Sequence, residues 1–564
     1  MPIPRYITTR VQQQVFALLT ALLAVAAATD LKAQEPAWKG SLILVQEPPG
    51  AWEKCGKRGW PLRIAKPEGA RIVVAEPGRN PRVLTEGLAS ACDPCVSIDS
   101  TKVLFAGKEH AEDPWNIFEI GADGSGLRKI TDRLGTEGLG DCFEPEYLAR
   151  GAIIPPDYKD KVRWMVFTST APGHFVEAGS EKATSLYVQC LEPIPNRGIV
   201  TWRTTFNLSS DFSPTVLSDG RVLYSTWQNF LGQNLGGPNL PGLSSAPAAT
   251  PGAPHMGTIE LFTISWSGED INPFLPSSAA GLVRSMACET PDRSIVFVES
   301  DGSEPDQSGR LARVWLRRPF KTYELLSKAA GRVRNPHPLP DGSLLVSYAP
   351  EGKDFGLYLF DFEKGGPGAL VMDDPLWSDV DGMALSPRRE PLGRITMVYE
   401  AAKTATLTCL NVYESDQPEV RAIPKGAVKK VRFVEGLPVA SGGLGGAGTA
   451  RARVLGEALV EADGSFLVRI VPQTPFTMQL LGANDDVLAV MRTWIWLQPG
   501  DERGCVGCHE DKELTPENRV TLALLKAKAS PVLTPIEERP PADLSSFRKP
   551  EARQQAEITT GSHK

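Results

Sequence analysis

Between Lys39 and about Pro424 the chain repeats one short phrase, and that repeat limits the possible folds more than any other feature. A turn containing Asp or Pro leads into a strand, a polar turn of Asp-Gly type follows, and a second apolar strand comes after it. Asp93-Pro94-Cys95-Val96 stands before Val103-Leu104-Phe105, and Phe212-Ser213-Pro214-Thr215 with Asp219-Gly220 before Val222-Leu223-Tyr224. Asn335-Pro336-His337-Pro338 with Asp341-Gly342 precedes Leu344-Leu345-Val346 in the same way. Looser copies join Glu144-Pro145-Glu146 to Trp164-Met165-Val166-Phe167, and Cys288-Glu289-Thr290-Pro291 to Ile295-Val296-Phe297. Asp-Gly supplies the positive φ that tight hairpins require. Units several tens of residues long, with about four strands each, mark a β-propeller. One blade cannot bury both of its faces; a closed ring can. The expectation is about six blades over residues 39–425. Residues 232–257, rich in Pro, Gly, Ala and Ser, are predicted as a long insertion on one face of the ring.

From residue 426 the pattern changes. Lys429-Lys430-Val431-Arg432-Phe433 reads as a strand, residues 442–448 as a glycine loop, and residues 458–470 as a hairpin. Residues 477–481 and 489–500 complete a small β-sandwich of about 75 residues. Trp494 and Trp496 share a strand face at period two, placed either to fill this core or to wall a cofactor, with the core preferred. A short helix is predicted over residues 517–526 and a Pro-rich, charged tail over 531–564. The fold class is therefore all-β: a β-propeller followed by a β-sandwich domain over residues 426–530.

That second domain carries Gly504-Cys505-Val506-Gly507-Cys508-His509-Glu510, the attachment pattern of c-type haem. The thiols of Cys505 and Cys508 add to the haem vinyl groups as thioethers, and His509 follows at once because the tethered macrocycle then lies over its imidazole. A zinc knuckle needs a second ligand pair, and none follows Cys508. A disulfide between Cys505 and Cys508 gives His509 no role. One covalent haem c is expected, with His509 as axial ligand to the iron.

The N-terminus agrees with this. Arg5 and Arg10 precede an almost uninterrupted apolar run from residue 15 to 28, and Ala26-Ala27-Ala28 offers small residues for cleavage. Residues 1–28 read as a secretory signal, too short for a comfortable membrane span, so an exported, periplasmic protein with no span after signal removal is expected. A net charge of −7 leaves no basic face for nucleic acid. Seven further cysteines remain, namely Cys55, Cys92, Cys95, Cys142, Cys190, Cys288 and Cys409. In an oxidising compartment some are expected to pair. Cys92-Asp93-Pro94-Cys95 suggests a redox or metal pair in isolation, with a structural role preferred because no βαβ context surrounds it.

Asp113-Pro114-Trp115-Asn116-Ile117 with Ala122-Asp123-Gly124-Ser125-Gly126 resembles the blades of periplasmic Tol-type, WD-like propellers. The propeller, the sandwich and the run from Trp494 to Glu510 together resemble the hydrazine synthase alpha-subunit family, most strongly over about residues 427–530 in its haem-bearing middle domain. The resemblance implies a c-type haem lodged between sandwich and propeller. In the family's namesake complex it also implies a catalytic haem, a tyrosine on the iron shortly after the motif, and a motif histidine turned towards zinc. Residues 510–513 contain no tyrosine, so that ligand is not carried over and His509 stays the expected ligand.

The distal side of the iron decides between electron transfer and chemistry. His337, between two prolines, and His255, beside Met256, are the candidates for it, each weighed against a surface or turn role. Asp379, Asp381 and Glu289 are read as bonding to turn backbone. The leading function is redox work at a clamped haem, with a partner protein or a small nitrogen or oxygen substrate. A propeller binding or scaffold module with a structural or sensory haem is the alternative, and a haem-free scaffold with a Cys505–Cys508 disulfide is the third.

Overall fold

The computed structural model describes residues 38–52, 66–131, 140–149, 162–176, 181–228, 257–276, 282–438, 451–491, 493–508, 518–529 and 531–533. The predicted signal peptide, nearly all of the 232–257 insertion, the 442–448 loop, Cys55, His255, His509 and the tail beyond residue 533 lie outside the described residues.

Six four-stranded units stand around one axis, two of them joined into an eight-stranded sheet through the parallel Ile259–Val283 bridge. The innermost strands of blades one to five are Ser90–Val96, Cys142–Tyr147, Asp211–Val216, Val283–Glu289 and Arg332–Pro338. Blade six is shared between the two ends of the propeller. Its innermost strand is Ser378–Ala384, and Leu42–Glu47, Arg71–Ala75 and Arg82–Val83 complete it. Every side chain of Leu42–Glu47 is buried, which is what a strand covered on both faces requires. Gln46 Nε2 donates to Asp379 Oδ1 across this seam at 3.0 Å.

The Asp-Pro and Asn-Pro phrases are not turns, as their composition suggests, but bulges inside the innermost strands. Register shifts fall at Cys92/Cys95, Phe143/Glu146, Phe212/Thr215, Ser285/Cys288 and Arg334/His337, and blade six has one between Ile43 and Val45. At each bulge one non-glycine residue is left-handed: Asp93, Glu144, Ser213, Met286, Asn335 and Asp381, with φ between 46° and 52°. Proline follows in four blades, because a bulge is where a strand tolerates a missing donor. The bulge turns six side chains towards the axis.

The sandwich has two four-stranded sheets. One contains Arg451–Leu459, Lys430–Leu437, Phe476–Leu481 and Val487–Val490; the other contains Glu502–Cys505, Ala405–Cys409, Phe466–Ile470 and Val532–Leu533. Phe433 meets Phe466 across the core at 6.0 Å and Phe476 at 5.8 Å. Ala405–Cys409, in the range read as propeller, belongs to the sandwich, as does Val532–Leu533 beyond residue 530. The connection before Ala405 crosses the propeller face, where Arg388 N donates to Ile98 O and Leu392 N to Ser218 O. Trp494 and Trp496 are both fully buried, but not as a strand pair. Trp494 packs on Leu208 and Val434 where the sandwich meets the propeller, and Trp496 lies edge-on to Phe206. The predicted C-terminal helix shortens to Leu522–Leu525, capped by the Thr521 hydroxyl.

The expected disulfides are not formed among Cys92, Cys95, Cys142, Cys190 and Cys288, all of which are buried free thiols. Cys142, Cys190 and Cys288 sit in apolar packing, and burial pushes Cys142 and Cys288 up to about 12 and Cys190 up to about 11. Such thiols are packing groups, inert as nucleophiles.

A buried ionic knot joins blades one and two. Glu119 accepts from Arg128 Nη2 at 2.6 Å, Arg163 Nη1 at 2.5 Å and Tyr147 Oη at 2.9 Å, and Glu192 holds both arginines from the other side. Burial pushes the Glu119 carboxyl up, but the two arginines outweigh it and hold the group down to about 2. Because this lies below the unfolded value, the knot stabilises the fold above about pH 4 and loses that effect as pH falls towards 2. Glu119→Gln is expected to destabilise the protein by about 3 kcal/mol at neutral pH and to flatten its stability profile between about pH 4 and 2. Urea unfolding across that range checks it; an unchanged midpoint at pH 7 would remove the knot from the account of blade packing.

Candidate functional site

Strand Glu502–Cys505 forms the edge of one sandwich sheet, parallel to Ala405–Cys409, with Leu407 opposite Arg503 and Cys409 opposite Cys505. Side chains alternate along a strand, so Arg503 and Cys505 share a face, while Glu502 and Gly504 take the other, exposed side. Leu407 and Cys409, on the same face as Arg503 and Cys505, are buried in the core shared by sandwich and propeller.

After the strand the chain curls, and backbone hydrogen bonds fix the curl. Leu410 N donates to Cys505 O at 2.9 Å, Asn411 N to Val506 O at 3.1 Å, and Cys508 N to Glu414 O at 2.8 Å. Gly507 passes so close to this segment that an added Cβ would stand 2.1 Å from Glu414 O. The two thiols are thus brought onto one short, pinned loop. Both are half-buried against the core containing Val412, Leu407 and Trp202.

An aromatic wall continues from here into the propeller. Trp202 of blade two lies 5.2 Å from Trp164 and 5.6 Å from Trp266 by ring centroid. Arg503 reaches from the motif strand towards blade three, donating through Nη2 to Asn272 Oδ1 at 3.4 Å, while its buried Nη1 has no partner. Just before it, burial pushes the Asp501 carboxyl up.

These features fit a covalently held haem. Two thiols three residues apart stand at the border of an apolar wall, and an orphaned guanidinium nitrogen on the same strand face suits a propionate carboxylate. Spacing alone pointed to Cys505 and Cys508. Arg503 was missed, since an arginine two residues before the motif carries no signal until the strand direction is known.

The histidines fall elsewhere. His509 and His255 lie outside the described residues. His337 is on the innermost strand of blade five and lines a cavity on the propeller axis, apart from the sandwich core that receives Cys505 and Cys508. His174 is buried, and burial together with Arg203 pushes it down to about 4, so it is neutral at physiological pH. His110 is on the surface beside Asp113.

Residues 420–510 match the family described as the hydrazine synthase alpha subunit middle domain. A similar protein is the hydrazine synthase subunit alpha of Kuenenia stuttgartiensis, 30% identical over 533 residues, covering 78% of this chain and 63% of that relative. The chain thus spans somewhat under two thirds of the curated relative's length. Among solved structures, Kuenenia stuttgartiensis hydrazine synthase superposes with a TM-score of 0.72 at 27% identity, covering 87% of this chain and 72% of that one. TolB from Acinetobacter baumannii matches more distantly, with a TM-score of 0.35 at 13% identity over 64% of this chain and 70% of that chain.

Gly507→Ala tests the loop. Its methyl group collides with a backbone carbonyl that cannot swing aside, so a loss of about 2 kcal/mol is expected. Thermal unfolding should show a clearly lower midpoint; an unshifted one means the loop is not pinned against Glu414.

Proposed function

Because the chain belongs to the hydrazine synthase alpha-subunit-like family, we propose that it is an exported redox protein carrying one covalent haem c at Cys505 and Cys508. Its role is in hydrazine-type nitrogen chemistry, alongside partner subunits. The observation that carries this reading is the pinned loop holding both thiols against the core shared by sandwich and propeller, with the buried Nη1 of Arg503 unpartnered on the same strand face. When bound, the haem supplies an iron centre for electron transfer or for a small nitrogen substrate.

The chain's own residues do the rest. Cys505 and Cys508 would hold the haem by thioether bonds, and His509, next in sequence, would ligate its iron. Arg503 would neutralise a propionate and so orient the group on the strand edge.

A pyridine haemochrome spectrum on protein made with a cytochrome maturation system is expected to report one covalent haem per chain. Cys505→Ser and Cys508→Ser should each move the band to the position of a singly linked haem, and the double variant should lose covalent haem. Full-length protein that matures without any covalent haem sinks the proposal. Carbon monoxide binding to the reduced protein then separates an open iron, suited to substrate, from a doubly ligated carrier.

A further inference from the structure

The six bulges surround a cavity of about 670 Å³ on the propeller axis, a volume typical of small-molecule sites. Its lining is polar and unevenly charged. Near the bulge level Lys66 Nζ bridges Asp93 at 2.9 Å and Glu144 at 3.0 Å, and Arg334 Nη1 pairs with Glu47 at 3.2 Å. Lys66 satisfies the acids of blades one and two. The third acidic bulge residue, Asp381 of blade six, makes no hydrogen bond or ion pair through its carboxylate among the described residues, although the chain there is anchored through its N–H to Ser347 Oγ. Burial and the nearby Asp93 push this carboxyl up to about 7 against the opposing pull of Arg334 and Lys66, so a ligand cation beside it would favour its charged form.

Two residues further along each strand, the equivalent positions hold Cys95, Glu146, Thr215, Cys288, His337 and Met383. Here Arg388 enters from the segment that crosses the propeller face. Its guanidinium contacts Cys95 Sγ at 3.9 Å, and Cys95 in turn donates to Glu146 Oε2 at 3.2 Å. Among the described residues no carboxylate accepts a hydrogen bond from Arg388, which lines the cavity and feels Glu146 only electrostatically. His337 lies near it and is neutral, since burial and Arg388 both hold its protonated form off. One level of the chamber therefore holds a carboxylate without a hydrogen-bond partner among the described residues, and the next a guanidinium bonded to a thiol but to no carboxylate. Among the described residues no three His, Cys, Asp or Glu side chains converge as metal ligands, so the arrangement is not that of a bare cation site.

We propose that the axial chamber binds a small zwitterion of the amino-acid or peptide class, with its ammonium group at Asp381 and its carboxylate at Arg388. Each group of such a ligand finds a partner of opposite charge in the cavity, and neither the cation nor the anion alone satisfies both ends. The chamber and the haem loop have separate linings, so this assignment stands independently of the haem.

Isothermal titration of the full-length, matured protein with glycine and with glycylglycine tests it, using methylammonium and acetate as half-ligands. A zwitterion is expected to bind saturably and at least about tenfold more tightly than either half-ligand. Tighter binding of glycylglycine than of glycine identifies a peptide terminus as the occupant; the reverse identifies a free amino acid. Asp381→Asn and Arg388→Gln should each weaken the zwitterion by about tenfold or more. Asn is at home at positive φ and Arg388 lies outside regular structure, so both variants should keep the parent's circular dichroism. Failure of both zwitterions to bind at about 20 mM, half-ligands binding equally well, or undiminished binding in both folded variants overturns the assignment.

Discussion

The propeller depends on one strand pairing. Leu42–Glu47 must find Ser378–Ala384, a partner more than 330 residues away, before any blade has a neighbour on both sides. A four-stranded blade left alone exposes two apolar faces, and each blade is stable only because the next one covers it. The seam is correspondingly well made. Its strand is buried from Leu42 to Glu47, Gln46 bonds Asp379 across it, and Arg334 of blade five meets Glu47 from the adjoining side. The axial cavity and the platform for the sandwich are both products of that closure.

The sandwich adds a second constraint, imposed by close approach. Gly436 lets Leu208 and Trp494 lie where any side chain would stand, with Leu208 Cδ1 only 2.2 Å from an added Cβ. Gln228 on the propeller accepts from the Trp494 amide, and Gln498 donates to Thr204 O. Fully buried amide side chains bonded to backbone fix orientation more than they add stability. The docking that brings Arg503 of the motif strand to Asn272 of blade three follows from these contacts.

Much of this was legible from local chemistry. Asp-Gly hairpins at regular spacing announce a propeller because only a few backbones accept positive φ at those points, and the Cys-x-x-Cys spacing marks the two thiols that the fold holds on one short loop. The closing strand was not legible, since an isolated apolar hexad says nothing about a partner so distant. The bulges were missed because Asp-Pro and Asn-Pro have the same local preferences in a turn and in a bulge; only cross-strand register separates them. Asp381 shows the cost. Read as a turn acid like Asp379 and Glu289, which do bond turn or neighbouring backbone, it instead stands unpaired on the axis. The strand Ala405–Cys409 was assigned to the wrong domain for a similar reason: its partners come from residues 466–470 and 502–505, and nothing in five residues names them.

The loop that carries the thiols also sets an order of events. Its amide and carbonyl groups are tied to residues 410–414, contributed by chain made nearly a hundred residues earlier, and both sulfur atoms are half-covered once that docking is complete. Thioether formation needs each sulfur to approach a vinyl carbon along a defined line, which a mobile pentapeptide allows and a docked one resists. On the haem reading proposed above, the two thiols would be modified more readily before this segment docks than after it. Docking would then seal a reactive peptide against the core as a fixed support.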